Sequence, residues 1–241
     1  MTAGIKLRMK KFFAALALLS IELLIIWSLF FICIIIFAVT AYQIFLLKKN
    51  DFDTSVFNFL SSHISGGYTN IISFITFLGN HNFLIPANII LIAYFLFIRK
   101  HKWYSIKIPV VAIGGVTMMA LLKFIFSRPR PLIPLLEPAA GFSFPSGHAM
   151  MSFSFYGLLI LIVYENVRNL YLRWTLIVLL LLLIFAIGFS RVYLRVHYAS
   201  DVIAGFAAGF IWIVLSLYVV RRIELYSQRK IDPELKKPEV A

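Results

Sequence analysis

Residues 12–47 run for 36 positions with Glu22 as the only charge. A water-soluble fold of this size has no core long enough to bury such a segment. A helix of roughly 20 residues crosses the hydrocarbon of a bilayer, so the run predicts a long, tilted span whose first turns lie in the interface. Apolar runs recur at about residues 71–98, 108–126, 148–164, 174–188 and 199–220. The chain is 61% hydrophobic and 14% charged, where a soluble domain is nearer half and a quarter. The expected fold class is therefore an all-α membrane protein with six transmembrane helices, forming a single domain over 1–241. One further element is expected in the loop 48–70. Phe52, Val56, Phe59 and Leu60 fall there at helical spacing among polar residues, which predicts a short amphipathic outer helix lying in the interface.

Orientation follows from the cations. With six crossings, residues 1–11, 99–107, 165–173 and 221–241 share one side and hold 16 of the 23 Lys and Arg. The positive-inside tendency puts that side, and both termini, in the cytoplasm. The basic arm is not read as a signal peptide, because the run after it is far too long and shows no convincing cleavage site. Net charge is +13, but the charges flank spans, where they meet anionic headgroups. No nucleic-acid partner and no obligate protein partner is expected. Cys33 is the single cysteine and lies inside an apolar run, so neither an internal disulfide nor a cysteine-based metal cluster can form.

Three polar outcrops fall on the other, outward side: residues 123–131 (KFIFSRPRP), 143–148 (SFPSGH) and 190–201 (SRVYLRVHYASD). The last is read as the head of the sixth span. His197 and Asp201, four apart, would then share a helix face, the carboxylate holding the imidazole from behind. Together the outcrops gather Lys123, Arg128, Arg130, Ser146, His148, Arg191, Arg195, His197 and Asp201. Cations and a bidentate arginine fork suit a tetrahedral oxyanion. Ser146-Gly147-His148 opens a helix, whose free N–H groups add donors. Two histidines, one of them oriented, supply a nucleophile and a proton donor. Two histidines and one aspartate among so many cations make a poor divalent site, so no metal and no cofactor is expected. His63 and His81 are also on the outer side, in loop or interface roles. Ser62 and Ser143 should be accessible from outside, and Ser105 and Asn166 from the cytoplasm.

With these residues in place, the sequence resembles the type 2 phosphatidic acid phosphatase (PAP2) superfamily. That family's pattern is K-x6-RP, PSGH and SR-x5-H-x3-D. Here it reads Lys123…Arg130-Pro131, Pro145-Ser146-Gly147-His148 and Ser190-Arg191…His197…Asp201. Residues 75–80 (ITFLGN) also resemble the family's second-span opening. The resemblance implies that His197 attacks phosphorus to form a phosphohistidine while Asp201 holds its ring. His148 would protonate the leaving oxygen and then activate water. Lys123, Arg130, Arg191, Ser146 and the Gly147 N–H would cradle the phosphoryl oxygens, without a metal. Arg128 and Arg195 fall outside the family positions and could touch substrate or headgroups.

The implied function is hydrolysis of a lipid phosphate or pyrophosphate in a bacterial cell membrane, at its outer face. Candidate substrates are phosphatidylglycerol phosphate, phosphatidic acid and undecaprenyl pyrophosphate. The alternatives are a lipid-to-lipid phosphotransferase using the same site, or a protein that binds or transports lipid phosphates without chemistry. Intact His148, His197 and Asp201 argue against the last, since anion binding needs no proton relay.

Overall fold

The computed structural model describes residues 21–62, 66–132, 134–135 and 140–235. The basic N-terminal arm, His63 and Glu137 lie outside them. Helix α1 (Ile21–Ala41) continues through a π-helical turn (Tyr42–Leu46) and is followed by the short helix α2 (Asp51–Ser61). Next come α3 (Gly66–Phe77), α4 (His81–Ala93) with a π-helical end (Tyr94–Ile98), and α5 (Lys102–Phe126). The chain closes with α6 (Gly147–Asn166), α7 (Leu170–Tyr193) and α8 (Ala199–Leu235). Among the described residues, six helical stretches are long and apolar enough to cross a membrane. The protein is a multi-pass membrane protein.

Two junctions differ from the hydropathy reading, and both matter for the site. The second span is not continuous. It breaks at residues 78–80, where Asn80 caps α4 by accepting the Asn82 N–H at 3.1 Å. Gly79 sits at the break because a Cβ there would lie 2.5 Å from Ile187 Cγ2 and 2.8 Å from Ser152 Oγ. Further on, residues 190–193 end α7 instead of heading the last span, and residues 194–198 form a turn. His197 is therefore not helical, and the expected i, i+4 face shared with Asp201 does not exist. The cause is local. Asp201, in the first turn of α8, reaches back to accept the Tyr198 N–H at 3.0 Å, which starts the helix after His197. The other spans extend past their apolar cores because side chains cap them: His101 for α5, Ser146 for α6 and Asn169 for α7.

Helix α6 is the centre of the bundle, with α5, α7 and α8 packed around it and α1 against the far side of α8. Gly205 and Gly209 of α8 let its backbone approach α6: added Cβ atoms would lie 2.7 Å from the carbonyls of Ser146 and Met150. That contact seats the start of α6 beside the start of α8, where the Ser146 N–H donates to the Asp201 carbonyl at 2.9 Å. Gly205→Val should thus push apart the two helix ends that carry the site, costing about 1–3 kcal/mol by overpacking. A thermal melt in detergent should show a lower midpoint; an unchanged melt would mean that the close approach is dispensable.

Phe144 is fully buried and anchors the segment before α6. Its ring meets Phe37 at 5.6 Å, Phe45 at 5.3 Å and Phe126 at 4.9 Å, so α1 with its π-helical end and α5 grip the loop. Outward faces carry exposed Ile35, Ile89, Phe124 and Leu182, the surface that a bilayer would cover. On α2, Phe52 and Phe59 are exposed, while Asp53 and Leu60 are buried. The short amphipathic helix is present where its apolar periodicity put it, and an aspartate lies on its buried side.

Candidate active site

The three polar outcrops meet at one end of the bundle. Lys123 comes from the last turn of α5, Arg130 from the loop after it, Gly147 and His148 from the start of α6, Arg191 from the end of α7, and His197 from the turn before α8. All six line one cavity of about 670 Å³.

The chain can converge there because α5 ends in a left-handed residue, Ser127 (φ 43°), whose N–H returns to the Lys123 carbonyl at 2.9 Å. That reversal turns Arg128 inward. Arg130 is fixed by three carbonyls: Val196 at 2.9 Å, Gly141 at 2.9 Å and Ala140 at 3.1 Å. Its Nη1 also stands 3.1 Å from His197 Nε2. Lys123 Nζ donates to the Phe142 carbonyl at 2.5 Å. Arg191 Nη1 donates to Thr76 Oγ1 at 2.6 Å, and its Nε is buried without a partner. Ser146 is fully buried, and its hydroxyl caps α6 by accepting the Ala149 N–H at 3.5 Å. His148 Nε2 is likewise buried without a partner.

His197 and Asp201 are joined through an intermediary that the sequence did not reveal. His197 Nδ1 lies 3.6 Å from Asp201 Oδ2, too long for a hydrogen bond. Ser143 Oγ stands between, 3.2 Å from Nδ1 and 2.5 Å from Oδ2. Arg130 can only donate, so it selects the tautomer: Nε2 carries the lone pair and Nδ1 the proton. The chain of donors is then Nδ1–H to Ser143 Oγ, and Ser143 Oγ–H to Asp201. Burial pushes the His197 imidazole down to about 4, against the opposing pull of Asp201, with Arg130 and Lys123 adding to the fall. At neutral pH the ring is a free base with its lone pair toward the cavity.

Other residues stand away from their sequence expectations. Ser143 is fully buried, not accessible from outside, whereas Ser62 is exposed. Arg128 is buried and does not line the cavity; it pairs with Asp201 at 2.6 Å and with Asp53 at 2.9 Å. Arg195 turns away to Ser61 Oγ at 2.6 Å. His81, expected in a loop or interface role, lines the cavity with Gly79.

A family model, the PAP2 superfamily, matches residues 104–224, half of the chain and all three motifs. The chain belongs to the PAP2 superfamily. Among its curated relatives, phosphatidylglycerophosphatase B of Bacillus subtilis (strain 168) is 30% identical over 156 residues, covering 64% of this chain and 76% of the relative. Undecaprenyl-diphosphatase BcrC of the same organism is 29% identical over 159 residues, covering 62% and 74%. Of solved structures, the transmembrane PAP2-type phosphatidylglycerolphosphate phosphatase from Bacillus subtilis superposes with a TM-score of 0.72. It shares 26% identity over 82% of this chain and 96% of that one. Aquifex aeolicus LpxE superposes with a TM-score of 0.55 at 26% identity, over 68% and 94%. PAP2 membership makes this membrane protein a phosphatase, and the cationic cavity with two histidines is its candidate active site.

Proposed function

We propose that this PAP2 protein hydrolyses a lipid phosphate or diphosphate at the outer face of the membrane through a phosphohistidine on His197. The observation that carries the reading is the shape of the cavity. Its cationic end, with both histidines, continues into an apolar groove between α4 and α5 walled by Leu84, Ile85, Ile89, Ile113 and Val116. A substrate with a phosphoryl head and hydrocarbon tails fits both parts at once, and the apolar part lies within membrane-spanning segments. The relatives act, by name, on phosphatidylglycerol phosphate and undecaprenyl diphosphate, which are therefore the first two candidates, with phosphatidic acid beside them.

In this mechanism Nε2 of His197 attacks phosphorus in line, and the P–O bond to the lipid breaks. His148 gives its proton to the departing oxygen. His148, now a free base, takes a proton from water as that water attacks the phosphohistidine, releasing phosphate and restoring His197. Lys123, Arg130 and Arg191 face the same space and oppose the growing negative charge on the phosphoryl oxygens. Arg130 stands beside Nε2 itself, so the oxygen it holds is brought to the attacking nitrogen. Those three cations also repel a divalent ion, which supports metal-independent chemistry. An outward active site is supported by the basic loops at the opposite bundle end.

The test is phosphate release by purified protein in detergent across a panel of glycerolipid phosphates and isoprenyl diphosphates. Turnover that persists in EDTA and is stopped by vanadate is expected, because vanadate imitates five-coordinate phosphorus. Loss in EDTA restored by Mg²⁺ would contradict the reading, as would release that needs an added lipid acceptor. Ser143→Ala should slow phosphoenzyme formation about tenfold or more, since a hydrogen bond to a charged group is worth about 1.5–3 kcal/mol. A rapid-quench time course checks it; an unchanged rate would mean that Asp201 acts on His197 directly.

A further inference from the structure

Two buried charged groups behind Asp201, Arg128 and Asp53, take no part in the mechanism as described. Arg128 divides its fork between two aspartates: Nη1 donates to Asp201 Oδ1 at 2.6 Å and Nη2 to Asp53 Oδ2 at 2.9 Å. Its guanidinium lies over the Tyr198 ring, 4.1 Å from the centroid, so the plane of the fork is fixed. Asp53 also accepts the Ser200 N–H at 2.9 Å and the Ser200 hydroxyl at 2.6 Å. Ser200 precedes Asp201 in the first turn of α8, so Asp53 grips both the backbone that carries Asp201 and the arginine that binds it. Arg128 further accepts the Ser143 N–H on its carbonyl at 2.7 Å. The Asp201 carboxylate and the Ser143 backbone are thus both held by Arg128, and Arg128 in turn by Asp53.

We infer that Asp53, from the short helix α2, is a positioning residue for the phosphatase reaction, acting through Arg128 and Ser200 to hold Asp201 against Ser143 and His197. The inference rests on His197 as nucleophile. Arg128, Asp53 and Asp201 do not line the cavity, so their side chains act on the substrate through the residues they hold, above all the ring of His197. Arg128 also sets the charge that Asp201 presents. While Asp53 shares the guanidinium, part of its charge is spent on α2. With that share removed, the whole charge falls on Asp201, which then attracts the His197 imidazolium less. The remaining charged groups around His197 are Arg130 from the loop, Lys123 from α5, His148 from α6 and Arg191 from α7, and neither substitution touches them.

The test uses the full-length enzyme in detergent with Asp53→Asn, Arg128→Gln and the double variant. Asp53→Asn leaves one arginine against one aspartate and should fold. Arg128→Gln strands two buried carboxylates, and the double variant relieves that by removing one charge of each sign. Phosphoenzyme formation should fall about 10- to 100-fold in Asp53→Asn, as expected of a displaced catalytic group, with KM nearly unchanged. Its acid limb should move to lower pH, and that of Arg128→Gln to higher pH. The double variant should be no slower than Arg128→Gln alone, because the two residues act as one unit. Opposite movements of the limb are a result that loss of packing cannot give. Wild-type-like rates and limbs in Asp53→Asn would overturn the inference, as would a loss of rate that merely tracks a lowered melting point. If wild-type enzyme forms no phosphohistidine, the nucleophile reading falls and the inference with it; a wild-type phosphohistidine with unaffected variants removes the inference alone.

Discussion

His197→Ala should leave a folded protein whose turnover of lipid phosphate is lower by at least about 10⁴-fold, the scale seen when a nucleophile is removed from a concerted site. The fold should survive because His197 belongs to a turn held by backbone bonds, including its own N–H to the Arg191 carbonyl at 3.2 Å. Ser143 also keeps Asp201 as a partner when the ring is gone. Phosphate release and a thermal melt, measured together, check both halves. Retained turnover would remove His197 from the chemistry. The pH dependence has a definite sign. With its ionisation lowered to about 4 by burial, His197 stays a free base at neutral pH. On the acid side, phosphoenzyme formation should hold until pH drops toward 4. The same shift makes the neutral ring a stabilising feature above the unfolded value of roughly 6.5, lost progressively below it.

His148→Ala should show an effect that depends on the leaving group. A lipid alkoxide is a strong base and needs a proton to depart, so the variant should lose about 10²–10⁴-fold in phosphoenzyme formation on lipid phosphate. p-Nitrophenolate departs as a much weaker base, so the first step with p-nitrophenyl phosphate should be far less impaired. Hydrolysis of the intermediate stays slow with both substrates, because water then lacks its base. A rapid-quench comparison of the two substrates separates these steps. Equal slowing of the first step for both would make His148 a phosphate ligand, and the proton would have to come from another group.

The spans were legible in the sequence because apolar length in a bilayer is a one-dimensional property. So were the motif residues that line the cavity, because counting the crossings puts the motif-bearing span ends on one side of the bilayer. What hydropathy could not locate were backbone decisions made by single polar atoms. Asp201 reaching back to the Tyr198 N–H starts α8 after His197, and this changes how the two residues meet. Ser143 read as a loop hydroxyl because nothing in the sequence states that Phe144, caught by Phe37, Phe45 and Phe126, drags its neighbour inside. Arg128 read as one more outer cation. A signal for its true place did exist. Asp53 shares a helix face with Leu60, seven residues on, and a carboxylate on the buried side of an amphipathic helix needs a cation opposite it. The side read from the sequence as outward offered few acids, Asp51, Asp53, Glu137 and Asp201, to pair with seven cations. Which cation would be chosen depended on the left-handed turn at Ser127.

The most direct measurement is the chemical identity of the trapped intermediate. Wild-type enzyme mixed with labelled lipid phosphate, quenched without acid and mapped by peptide, should carry phosphate on His197. The linkage should be acid-labile and stable to base, and it should be absent from His197→Ala. Phosphate on a serine or an aspartate, or full turnover with no trapped phosphoenzyme in either wild type or His148→Ala, would contradict the account.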